Sequence, residues 1–468
     1  MTSSVPQVVP SVLRRLSSDE YRPLPWTDND LRALALLADR LPANARRSAL
    51  DLRAYAGQRR GTMAALQAIN ESAGERFYDI PPDAEMDAEA AGELGRGAAP
   101  VIDVQTHLAI PRRLSTATGE AIIEFLKVHD PELWANGVHP QLISAAEWVA
   151  QIFGNSETAV AVLTSGPGRP DENIVTNKEI AAVREIVDRY AGTGRVLNHT
   201  IVHPNIPGEV DLLDHWRHEL HPSGWKIYTM WEPYDPAVDE RDTGWYLDDE
   251  EVGLPFLERV QAVGPRVVAV HKGIYGLVPG TGPLASSPRD IGPAAKLFPG
   301  VTFLVYHSGY EPDVTGGQEG PWEEATRDRG VNRLVASLSD AGIPPGANVY
   351  AELGSTWFMM MRKPEEAAHV LGKLLAAVGP ERILWGTDCV WYGSPQPLID
   401  AFRAFVIPER MQAEFGYPPL TAQIKDRILS TNAAGPYGID LVRAQEAVEQ
   451  DSRTWLNLAR NEALTQLV

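Results

Sequence analysis

The run VIDVQTHLAI, residues 101–110, carries Asp103, Gln105 and His107, three groups able to hold a metal ion, spaced to share one face of a strand. Similar groups mark later apolar runs. His199 and His203 end the third run, and Lys226 lies near the start of the fourth, which leads on to Glu232. His271 and Lys272 end the fifth, His307 the sixth, Glu352 lies in the seventh and Asp388 ends the eighth. Gathered at one small mouth, Asp103, His107, His271, His307, Glu352 and Asp388 would set unpaired carboxylates against each other and raise their pKa values. A divalent cation relieves that conflict, so a metal site is expected over a purely structural polar network. Gln105 bears on which metal: an amide oxygen is a weaker donor than imidazole and disfavours a hydrolytic zinc. The mixed set of His, carboxylate and amide suits iron or manganese.

Those residues need a scaffold that brings distant strand ends together. Eight strand-like runs appear: VIDVQTH, TAVAVLTS, RVLNHTIVHP, GWKIYTMW, RVVAVHKG, VTFLVYHSG, NVYAELGS and ILWGTDCVW. Helical patterns such as NKEIAAVREIVDRYAG, VNRLVASLSDAG and PEEAAHVLGKLLAAVG lie between them. Eight βα units predict an α/β chain folded as a (β/α)8 TIM barrel, whose active site lies at the C-terminal strand ends. A doubly wound sheet is the alternative, but it does not need eight strands. The expected organisation is 1–99 as an N-terminal arm, helices and acidic linker, 100–440 as the barrel, and 441–468 as a C-terminal helix packed outside it. Within the first segment, residues 1–20 read as a loose arm. A helix follows a Thr27 or Asp28 cap, with Leu31, Leu34, Leu37 and Leu41 at helical spacing. A second helix is expected over 44–69, broken near Gly57 and Gly61, and PPDAEMDAEAAGELGRGAAP reads as a connector.

The bulk composition narrows the partners. Lys and Arg total 42 against 62 Asp and Glu, a formal charge of −20 that opposes nonspecific binding to nucleic acid or an anionic membrane. Cys389 is the single cysteine, no secretory h-region follows the first arginines, and no run approaches a membrane span, so a cytoplasmic protein is expected. Several residues are expected to be bland. His215, His218, His221 and His369 should face solvent from outer helices, Cys389 should be packed rather than reactive, and Asp248 to Glu251 should start a helix. His129 and His139 have no assigned role.

The order of strand-end residues resembles the amidohydrolase superfamily, particularly its decarboxylases and hydrolases with a GTD final strand. Its pattern corresponds here to Gln105 and His107, Lys226, His271, His307 and Asp388, with Gln105 where the superfamily has His. The combination DVQTH, WKIYT, HKG, VYHSGY, NVYAELGSTW, AAHVLGKLL and LWGTDCVWYGSPQ also resembles a group of TIM-barrel nonheme diiron monooxygenases. That resemblance implies two iron ions held by a selection from Asp103, Gln105, His107, His271, His307, Glu352 and Asp388. It further implies dioxygen as co-substrate, an external electron donor such as a reductase, and hydroxylation of an unactivated C–H bond in terpenoid and antibiotic biosynthesis. The substrate would be bulky, hydrophobic and diterpenoid-like, free or carried as a coenzyme A thioester, against Trp231, Trp357, Trp391 and Tyr392. Lys226 and Asp388 would be catalytic, Lys226 as a carbamylated bridge or as a cation orienting a carboxylate or peroxide. The alternative is a nonredox hydrolase or decarboxylase using one zinc or manganese. The N-terminal helices either cover the barrel or form a homodimer contact.

Overall fold

The computed structural model describes residues 8–16, 18, 21, 23–94, 97, 99–129, 140–230, 244–274, 284–313, 317–450 and 453–467. All eight expected runs form strands: β1 (Val101–Thr106), β2 (Thr158–Leu163), β3 (Val196–Ile201), β4 (Gly224–Tyr228), β5 (Val267–His271), β6 (Thr302–Tyr306), β7 (Val349–Glu352) and β8 (Ile383–Leu384). They pair in chain order and all in parallel. The ring closes where Val104 N donates to Trp385 O at 3.0 Å and Asp388 N donates to Gln105 O at 2.8 Å. Helices cover the outside, so the strands are buried on both faces, which is why they read as near-continuous apolar runs. This is a (β/α)8 barrel.

Strand faces divide the core. Val268, Val270, Phe303 and Val305 pack outward against helices, whereas Ala269, Leu304 and Tyr306 belong to an inner cluster. β8 is only two residues long because the chain leaves the ladder at Gly386, and Asp388 takes a left-handed backbone with φ of 63°. At the opposite, N-terminal end of the ring, the helix Asn432–Tyr437 is anchored by Asn432 Nδ2 donating to Ile383 O (2.7 Å). Its Tyr437 hydroxyl lies 2.9 Å from His199 Nε2.

The N-terminal segment departs from expectation. Val12, Leu13 and Leu16 are buried and Trp26 Nε1 donates to Leu13 O, so the part of the arm described is packed rather than loose. Helix α1 (Asp28–Arg47) begins with a capping box in which Thr27 and Asp30 satisfy each other's backbone N–H groups, and it continues three residues past Asn44, through Pro42. The second helix divides into α2 (Leu52–Ala56) and α3 (Arg59–Ala73) at Gly57, while Gly61 lies inside α3. The acidic connector contains a further helix, α4 (Ala88–Leu94). Arg362, buried near the β7 end, ties this segment to the barrel by donating to Asp30 Oδ2 (2.6 Å), Leu24 O and Pro25 O. Among the described residues no helix is long and apolar enough to cross a membrane.

Candidate functional site

The strand ends deliver their polar residues to one side of the ring in two groups. In the first, Gln105 Nε2 lies 3.1 Å from Asp388 Oδ1 and 3.5 Å from His107 Nε2, and His107 Nε2 lies 3.1 Å from Asp388 Oδ1. In the second, the His271 and His307 ring centroids are 4.5 Å apart. Glu352 stands beside both groups. Its Oε2 accepts from His307 N at 3.1 Å and its Oε1 from Gly354 N at 2.6 Å. A Cβ at Gly354 would fall 2.1 Å from Gln105 Oε1 and 2.7 Å from Glu352 Oε1. The glycines at 354 and 386 therefore leave the space these side chains occupy.

The donor chemistry of the first group fits one divalent ion. Ligands about 2.1 Å from an ion stand roughly 3.0–3.4 Å from one another, the edge of an octahedron or tetrahedron, which matches separations of 3.1, 3.1 and 3.5 Å. Gln105 Oε1 is buried and has no hydrogen-bond partner among the described residues. Turning the amide by half a rotation would aim its oxygen, in place of Nε2, at His107 and Asp388. Both histidines of the second group have one ring nitrogen on a backbone carbonyl: His271 Nε2 lies 2.7 Å from Ile274 O and His307 Nδ1 2.6 Å from Gly354 O. Metal-binding histidines are commonly oriented this way. Among the described residues no group of three or more His, Cys, Asp or Glu side chains is placed to hold a metal ion.

Asp103 takes a different place. β1 slips register against β2 between Asp103 and Thr106, and the Asp103 carboxylate turns to the β8 seam. It accepts from Thr387 N (3.0 Å), from the Thr387 hydroxyl and from Gln105 N (3.2 Å). Burial pushes its pKa up to about 8 against those hydrogen bonds. Burial likewise pushes Glu352 up to about 7, opposed first by His307.

Lys226 is fully buried, with Nζ 4.2 Å from the Tyr228 ring centroid and 4.1 Å from that of Tyr306. Behind it lies His199, held neutral with a pKa pushed down to about 3 by burial and then by the Lys226 charge. His203 at the β3 end pairs with Glu209 at 3.3 Å. Of the aromatic wall expected around the substrate, Trp231 lies outside the described residues. Trp357 packs away from the site, its ring against Phe402 and Phe405 and its indole N–H on Leu398 O. Trp391 is buried with no partner for its indole N–H among the described residues, and Tyr392 stacks on Phe358 at 3.9 Å.

Four non-glycine residues at this end have left-handed backbones: His307, Ser308, Ser355 and Asp388, with φ of 52–63°. Such strain costs about 1–3 kcal/mol each and concentrates at functional sites. Sequence reasoning missed Ser355 and Thr387, although each lies inside a motif it used, NVYAELGSTW and GTD. Of the residues expected to be bland, His215, His218 and His221 are exposed and Cys389 is buried. His369 is not exposed. It lies under Phe415 and donates to or accepts from the Tyr417 hydroxyl at 2.9 Å.

Comparison with known proteins gives a match to a family described as amidohydrolase over residues 161–439, more than half of the chain. No curated protein sequence matches. Among solved structures, 5-carboxyvanillate decarboxylase from Novosphingobium aromaticivorans, complexed with manganese and a nitrobenzoic acid, is similar at 15% identity and a TM-score of 0.46, covering 74% of this chain and 97% of that one. The same enzyme from Sphingomonas paucimobilis shows 15% identity and a TM-score of 0.44, with 73% and 100% covered. A 2,6-dihydroxybenzoate decarboxylase from Rhizobium shows 16% identity and a TM-score of 0.39, with 73% and 99% covered.

The family match corrects the expectation of a diiron monooxygenase and, with it, of two irons, dioxygen, C–H hydroxylation and terpenoid or antibiotic biosynthesis. The physical reason lies in what the long motifs do. AAHVLGKLL buries His369 beneath Tyr417 and NVYAELGSTW sends Trp357 into the helix layer, so these two residues pack the fold, whereas Glu352 and Ser355 of the second motif lie at the strand ends. The chain belongs to the amidohydrolase family.

Proposed function

We propose that the chain is a nonredox, metal-dependent enzyme that hydrolyses or decarboxylates a small organic substrate with one divalent ion. The observation that carries this reading is the triangle of His107 Nε2, Asp388 Oδ1 and the Gln105 amide nitrogen, with sides of 3.1, 3.1 and 3.5 Å, into which a turned amide would bring an oxygen that has no partner among the described residues. His107, Asp388 and Gln105 hold the ion, and His271 and His307 supply further nitrogen donors or contact the substrate. A bound divalent ion supplies Lewis-acid polarisation of a substrate oxygen. Lys226 presents a positive charge, backed by Tyr228 and Tyr306, that orients an anionic substrate group. Trp391 walls the site and excludes water. Glu352 and Asp103, buried and pushed toward the neutral form, hold the strand ends together around it.

Metal analysis of chain purified without added metal tests the reading. About one manganese or zinc per chain supports it. Two irons per chain, or no metal retained and none bound on addition, rejects it.

A further inference from the structure

The two oxygens of Asp388 have different partners. Oδ1 faces Gln105 and His107, whereas Oδ2 accepts a short hydrogen bond from the Ser355 hydroxyl. A carboxylate only accepts, so the Ser355 proton is committed to Asp388, and the Ser355 oxygen can then only accept from the Tyr392 hydroxyl 2.5 Å away. The row of donors has one polarity: Tyr392 to Ser355 to Asp388. All three residues are buried. Ser355 and Asp388 both hold left-handed backbones, with φ of 52° and 63°, conformations that L side chains adopt only when surroundings impose them. Tyr392 is itself fixed, stacked at 9° on Phe358. The Tyr21 ring of the N-terminal segment stands 6.5 Å from its ring, tilted at 45°.

We propose that Ser355 and Tyr392 are positioning residues that hold Asp388 Oδ2, so that Oδ1 and its charge are presented to the ion, with the N-terminal segment bracing Tyr392 through Tyr21. The inference rests on the reading of Asp388 as a metal ligand. It gives the N-terminal extension a role in the site without any of its residues touching metal or substrate. It also gives Tyr392 a task different from that of an aromatic substrate wall, because the phenol hydroxyl rather than the ring face matters.

The test uses the full chain stripped of metal and titrated with Mn²⁺, with free and bound ion followed by electron paramagnetic resonance. Ser355→Ala is expected to weaken Mn²⁺ binding about 10–100-fold, the usual effect of removing a group that orients a ligand. Tyr392→Phe keeps the stacked ring and is expected to weaken binding in the same direction by a smaller factor. Both variants should alter the line shape of the bound ion, which a purely structural role would not do. Wild-type affinity and line shape in both variants, with binding lost in Asp388→Asn, would overturn the positioning role and leave the metal reading standing. Wild-type binding in Asp388→Asn would instead remove Asp388 from the ligands and take this inference with it.

Discussion

Replacing Gln105 with Leu separates the two tasks its amide performs. In the ion-free chain the substitution removes the hydrogen bond from Nε2 to the charged Asp388, at a cost of about 1.5–3 kcal/mol, and also removes a buried oxygen without a partner, which returns about 1–3 kcal/mol. The two nearly cancel, so stability in chelator should stay within about 1 kcal/mol of wild type. In the presence of metal they do not cancel. An ion that binds only the folded chain stabilises it by RT ln(1 + [L]/Kd), about 2.7 kcal/mol at 100 times Kd. Loss of one of three donors should raise Kd at least 100-fold, and at the same Mn²⁺ concentration the stabilisation then falls to about 0.4 kcal/mol. Urea unfolding of both chains, each with chelator and with Mn²⁺, reads all four numbers. A variant that keeps the full metal-dependent gain shows that the amide is not a ligand. A variant several kcal/mol less stable in chelator shows that Oε1 already had a partner.

Other consequences follow from buried groups. Lys272 and Asp290 are both fully buried and joined at 2.9 Å, and Asp290 also accepts from Leu247 N. Lys272→Met should therefore cost about 3–5 kcal/mol in urea unfolding by stranding the carboxylate, and a cost below about 1 kcal/mol would refute the pairing. A Cβ at Gly386 would lie 1.7 Å from Glu352 Oε1 and 3.1 Å from Gln105 Cβ. Gly386→Ala should destabilise by about 1–3 kcal/mol and weaken Mn²⁺ binding, and a neutral substitution would show the mouth is not close-packed. Burial pushes Asp400 up to about 6, opposed first by Arg59. The folded chain then holds this proton more tightly than the unfolded one, whose carboxyl titrates near 4. Its contribution to stability is complete below about pH 4, is lost as pH rises to about 6, and is on the order of 3 kcal/mol. Asp400→Asn should flatten thermal stability across that window, and an unchanged slope would refute the shift.

The barrel was legible because its strands are buried on both faces: eight apolar runs alternating with helical patterns fit a closed ring of eight better than a doubly wound sheet. The helix after Thr27 was legible for a local reason, since Thr27 and Asp30 carry the capping box in their side chains. Elements set by tertiary contact were not. The helix Ala88–Leu94 lies in a stretch whose composition reads as linker. His369 follows an outer-helix pattern, yet Tyr417 from a later segment covers it. In the site, strand alternation correctly brought Gln105 and His107 together. It does not describe Asp103, because the register slip in β1 turns that carboxylate to Thr387. The monooxygenase reading came from long motifs that mix strand-end residues, such as His107, His307 and Glu352, with residues packed between layers, such as His369 and Trp357, and only geometry separates the two kinds.

The central claim is that residues nearly three hundred positions apart share one ion. Anomalous diffraction from crystals of the full chain grown with Mn²⁺ locates that ion directly. A single peak within about 2.0–2.3 Å of His107 Nε2, Asp388 Oδ1 and the Gln105 amide oxygen is expected. A peak elsewhere in the barrel, a pair of peaks bridged by a carboxylate, or none at all would contradict it.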